Sequence, residues 1–131
     1  MKMSNRVRAI SVLVVLVVLT AALATVVSAQ ESLDIVVSPK VLSLNSKGGS
    51  ISVHTNLNYG LAEEVVLSVD GESLETGTFA DDRGDLVVKA DIDDVKSIVS
   101  VGEATFVLQV ETAVGQLVGT DTIRVVGPAK R

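Results

Sequence analysis

The chain has 131 residues, no cysteine, no tryptophan, one histidine and only three other aromatics, Tyr59, Phe79 and Phe106. That excludes a disulfide framework, a thiolate zinc site and a cysteine nucleophile, and it leaves Val, Leu, Ile and Ala to build the core. Charge is segregated: Lys2, Arg6 and Arg8 precede an apolar run, whereas eight basic and sixteen acidic residues follow position 29. A balance near −8 in that part argues against nucleic acid and against anionic membrane, both of which need basic patches.

The first 29 residues read as a secretory signal: a basic start, an apolar stretch densest at Val12–Leu19, and Val27-Ser28-Ala29 before Gln30. Cleavage after Ala29 is expected. The alternative is an uncleaved anchor, since Ala9–Val27 is about long enough to span a bilayer. Residues 30–131 form one domain of ordinary size.

From there, short period-two segments are separated by turn residues, the pattern of a sandwich or barrel. Leu33, Ile35 and Val37 alternate with Asp34 and Ser38, and Pro39 predicts an edge or a strand that switches sheets. Leu42 and Leu44 continue that face, and Ser46–Gly49 reads as a hairpin turn into Ile51 and Val53. Asn56–Gly60 reads as a loop. Val65, Leu67 and Val69 lead to Asp70-Gly71, a strong short hairpin signal. Glu72–Ala80 looks irregular, with one short strand near Leu74. Asp81–Asp85 is a turn into Leu86, Val88 and Ala90. In Asp91–Val99 the apolar residues Ile92, Val95, Ile98 and Val99 take helical spacing instead, and Asp91 or Asp93 can cap the first turn.

The long hairpin Gly102–Val126 organises the rest. Ala104, Phe106, Leu108 and Val110 face one way, and Leu117, Ile123 and Val125 answer on the return strand. Asp121 falls in phase with the inward residues. Either a bulge at Gly119 shifts the register, or the carboxylate bonds backbone donors at a sheet edge, because a bare buried carboxylate is too costly. The short loops require antiparallel pairing. The predicted fold is all-β: an antiparallel sandwich of about seven strands with one helical turn at 91–99.

Ser38-Pro-Lys40 with Leu42–Gly48, the turn Phe79–Asp85, the helical turn Asp94–Ile98 and the strand Gly119–Val125 together resemble an immunoglobulin-like β-sandwich module. Such modules occur in secreted and surface proteins of archaea and bacteria. The likeness runs over nearly all of the chain after residue 29. It departs in showing a single module and in having Ala113-Val-Gly115 where an Asp-Gly turn is common. It implies an immunoglobulin-like fold and an extracellular or envelope setting, and it brings no catalytic residues.

The chemistry on offer is thin. His54 sits on an outward strand face, with no Gly-x-Ser-x-Gly elbow elsewhere to complete a triad. Paired carboxylates of a glycosidase lack sugar-stacking aromatics. Calcium is the strongest of the weak options: Asp81, Asp82 and Asp85 cluster around Gly84, although Arg83 stands among them and a later bidentate Glu is missing. The competing reading is a turn in which Asp oxygens bond local N–H groups. Arg83-Gly84-Asp85 also spells a tripeptide that some integrins read, which the turn explains as well. Outward Val36, Val41, Val66, Val87 and Val107 are more apolar than a wet face needs, and are a candidate patch for a partner. The expectation is a non-enzymatic structural or adhesive module, secreted or held at the cell envelope, with an envelope or surface protein as partner. The alternative is a soluble ligand-binding or inhibitory domain, supported by calcium.

Overall fold

The computed structural model describes residues 30–128, so the signal-like segment and the last three residues lie outside the described residues. The strands are β1 (Gln30–Ser32), β2 (Ile35–Ser38), β3 (Val41–Ser43), β4 (Ser50–Asn58), β5 (Glu64–Val69), β6 (Glu72–Leu74), β7 (Gly77–Ala80), β8 (Asp85–Asp91), β9 (Gly102–Thr112) and β10 (Gly115–Val126). A 3-10 turn (Tyr59–Leu61) follows β4, and a short helix, α1 (Ile92–Lys96), follows β8. Among the described residues no helix is long and apolar enough to cross a membrane.

One sheet runs β2-β4-β8-β7; the other runs β1-β10-β9-β5-β6, with β3 also on β10. Counting β1, β2 and β3 as pieces of a first strand A, β4 to β10 become B, C, C′, D, E, F and G. The sheets then read A-B-E-D and A-G-F-C-C′, which is the immunoglobulin arrangement. The chain is an all-β, immunoglobulin-like sandwich.

Alternation builds the core. Val37, Ile51, Val53, Leu86, Val88 and Ala90 face inward from one sheet, and Leu67, Val69, Ala104, Phe106, Leu108, Val110, Ile123 and Val125 from the other. Phe106 is the largest of the fully buried side chains. Each such side chain contributes about 1.5–3 kcal/mol by leaving water. Five residues of α1 are too few to hold a helix alone. Asp91 caps it by accepting the Asp93 N–H, and Ile92 and Val95 bury its inner face.

The long hairpin pairs without a register shift from Gly115↔Thr112 to Val125↔Gly102, so there is no bulge at Gly119. The second alternative holds: Asp121 Oδ2 accepts the Val37 N–H at 2.8 Å and pairs with the Lys40 ammonium. Val37 lies on edge strand β2, whose outward N–H would otherwise lack a partner. Gly119 has a different task. A Cβ there would lie 2.5 Å from the Leu33 carbonyl oxygen, so only glycine lets the first strand cross β10 on its way between sheets.

Several expectations need correction. Ser46–Gly49 is no hairpin turn, because β3 and β4 belong to different sheets. Not all pairing is antiparallel: β3 runs parallel to β10, with Val41 beside Arg124. Loop length limits only neighbours in the chain, and these two strands lie far apart in sequence. Glu72–Ala80 holds two strands, with β7 as an edge of the first sheet; all four of its residues are exposed, so no alternation marks it. The segment read as a loop at Asn56–Gly60 continues β4 through Asn58, beyond a register shift after His54. Buried Thr55 secures that irregularity, donating to the Leu86 carbonyl at 2.9 Å and accepting the Leu57 N–H at 3.1 Å.

Candidate functional site

The acidic turn Asp81–Asp85 connects β7 to β8. Asp81 Oδ1 accepts the N–H groups of Arg83 at 2.8 Å and Asp85 at 2.9 Å. Those bonds, that to Asp85 foremost, hold the Asp81 carboxyl below its ordinary value. Asp85 faces the Arg83 guanidinium at 3.8 Å, and Asp82 is exposed. The three acids therefore share one turn, with Asp81 engaged by the backbone and Asp85 by a cation. Among the described residues no group of three or more carboxylate or imidazole side chains is gathered where it could hold a metal ion. In the Arg83-Gly84-Asp85 tripeptide the arginine is open, whereas the Asp85 side chain is only 22% exposed.

The candidate valine patch divides between opposite faces. Val36 and Val87 lie on the β2-β4-β8-β7 sheet, and Val41, Val66 and Val107 lie on the other. Across the outer face of the first sheet, Val36, His54, Val87 and Phe79 stand in register on four successive strands. Val87 is fully buried there, between His54 and Phe79, while Val36 is 54% and Phe79 40% exposed. The Lys89 ammonium lies 5.3 Å from the Phe79 ring centroid. His54 is exposed on this face, as a strand residue among apolar neighbours.

The site that the sequence reading missed lies at one end of the sandwich. There β4 ends, β5 begins, and the turn between β9 and β10 closes. A groove of about 360 Å³ opens between these segments, floored by half-buried Leu57 and Leu117, flanked by exposed Leu61, Ala113 and Val114, and edged by Glu31 and Glu63. Leu61 is 58% and Val114 97% exposed. The turn is fixed by Thr112, whose hydroxyl donates to the Gly115 carbonyl at 2.8 Å and accepts the Val114 N–H. The 3-10 turn is fixed by Asn58, which accepts the Gly60 N–H at 2.8 Å. Both loops that carry the apolar side chains are thus tied down. The sequence did hold a signal: Leu61 and Val114 occupy turns, where polar residues and glycine are usual.

No family model matches the chain, and no curated protein matches it. Among solved structures it is similar to an endo-β-1,4-mannanase from Thermotoga petrophila, with 16% identity and a TM-score of 0.48. That match covers 75% of this chain and 20% of the mannanase, so the chain spans one fifth of that protein's length. It is similar to a human PKD domain at 11% identity and TM-score 0.40, over 81% of this chain and 95% of the domain. It is also similar to the major subunit of the aggregative adherence fimbriae type I of Escherichia coli, at 13% identity and TM-score 0.39, over 73% and 94% of the two chains. The fold assignment rests on the strand order above, and no residue role is carried over from these proteins.

Proposed function

We propose that this chain is a non-catalytic immunoglobulin-like module of the cell surface or envelope, with a structural or adhesive role. The observation that carries the reading is how the polar side chains are used. Thr55, Asp70, Asp81, Asp91 and Asp121 each bond backbone N–H groups. These are the groups that an enzyme would free for acid, base or ligand work, and here they hold strands and turns in place. The sequence of Met1–Ala29 supports export, and the acidic surface suits a soluble external domain.

Fractionating the producing cells, with a mass measurement of the mature N-terminus, tests this. The expected result is protein in the envelope or outside the cell, beginning at Gln30. Intracellular protein retaining Met1 would overturn the location. A hydrolase activity abolished by His54→Ala would overturn the non-catalytic role.

A further inference from the structure

We infer that the end groove binds a partner segment that presents an apolar side chain flanked by lysine or arginine. The inference deepens the reading of the chain as a surface module, by naming the end through which it engages its partner.

Two features of the groove set the chemistry. First, its floor is apolar, and the exposed apolar side chains beside it, Leu61 and Val114, project from loops held by Asn58 and Thr112. A preformed apolar cleft of this volume lies within the range of small binding sites, about 300–1,000 Å³. It accommodates one or two large apolar side chains. Second, the rim carries uncompensated negative charge. Glu31 and Glu63 edge the groove. Among the described residues the ion pairs are Lys40–Asp121, Arg83–Asp85 and Lys96–Asp93, so none neutralises either glutamate. Arg83, in the turn joined to this end by the Tyr59 N–H to Gly84 carbonyl bond, faces Asp85. An apolar floor with an acidic rim complements an apolar anchor between basic residues. A partner of that kind sets cations beside Glu31 and Glu63 and removes Leu61 and Val114 from water.

The probe is a fluorescein-labelled capped hexapeptide, Lys-Arg-Leu-Leu-Lys-Arg, titrated with the full chain. Controls replace its leucines by serine or its basic residues by glutamate. The expected result is saturable binding of the first peptide alone, weakening as salt rises because exposed charges are screened. Val114→Ser and Leu61→Ser should each weaken it about tenfold, the scale of one buried apolar side chain. Glu31→Gln with Glu63→Gln should reduce both affinity and salt dependence. Equal binding of the serine peptide, no binding of the leucine peptide, or indifference to Val114→Ser would overturn the proposal. Self-association of the chain abolished by Val114→Ser would overturn it too, by assigning the groove to a second copy. Circular dichroism of each variant separates lost binding from lost folding. Peptide binding by a protein found inside the cell would sink the surface reading and leave the groove intact. Envelope location without peptide binding would do the reverse.

Discussion

At the end of the sandwich that carries α1, polar groups and apolar side chains are both put away. Asp91 caps the helix, the Lys96 ammonium donates to the Ser46 carbonyl, and Ile92, Val95 and Val99 are buried. Asp70, in the β5–β6 turn, exchanges bonds with Thr105: its N–H donates to the Thr105 carbonyl, and its Oδ1 accepts the Thr105 N–H. Val41 and Val101 are exceptions, left exposed. At the opposite end Tyr59, Leu61 and Val114 face water, and among the described residues no ion pair reaches Glu31, Glu63 or the opposed Glu64 and Glu111. Exposed apolar side chains and opposed like charges add nothing to folding stability. One end therefore maintains the fold, and the other carries features that folding alone does not require.

The contrast breaks if substitutions at the two ends have equal cost. Ile92→Ala, at the helical end, should lose about 2–5 kcal/mol in denaturant unfolding, the range for truncating a buried aliphatic side chain. Asp121→Ala comes next, at about 1–3 kcal/mol, since it leaves the Val37 N–H without its acceptor. Burial pushes the Asp121 carboxyl up, but Lys40 and the N–H groups of Val37 and Thr122 outweigh it and hold the group below its ordinary value. The sign follows from that depression. The contribution is complete above the unfolded value of about 3.9 and is lost as pH falls through the lower folded one. Asp121→Asn, which retains an acceptor oxygen, should flatten that acid-range loss in a series of unfolding curves.

Asp91→Ala should cost about 0.5–2 kcal/mol through the lost cap, read as a lower denaturation midpoint. At the groove end, Leu61→Ser and Val114→Ser should stay within about 0.5 kcal/mol of the parent, as open surface positions do. Losses there as large as at Ile92 would show that the groove end also maintains the fold. The smallest effect concerns calcium. Because Asp81 already bonds two N–H groups, added Ca²⁺ should leave the melting temperature of parent and Asp81→Ala alike unchanged. A rise in the parent that Asp81→Ala removes would establish a metal-supported turn, since a ligand of the native state stabilises it.

The same contrast explains which parts of the molecule were legible. Strands with one buried face declare themselves by alternation, so β4, β5, β8, β9 and β10 were visible. The helical spacing of Ile92, Val95 and Val99 marked α1. Asp70-Gly71 named its own turn, and both residues take positive φ, 48° and 87°. Strand β7 was hidden because its exposed residues carry no period. Buried Val87 was read as outward, because alternation assigns a face and says nothing of neighbours such as His54 and Phe79 that close over it. The groove was hidden for a similar reason: Leu57, Leu61, Val114 and Leu117 come together only when two sheets bring separate turns side by side.

By itself, the sequence determined an all-β sandwich with a helical turn after Ala90 and a hairpin from Gly102 to Val126. Period, turn chemistry and capping are local, and local residues encode them. Tertiary structure alone decided the parallel contact of β3 with β10, the close crossing over Gly119, the bond from Asp121 to the Val37 N–H and the acidic apolar groove. Each joins residues far apart in the chain, and such contacts leave no periodic trace in either partner.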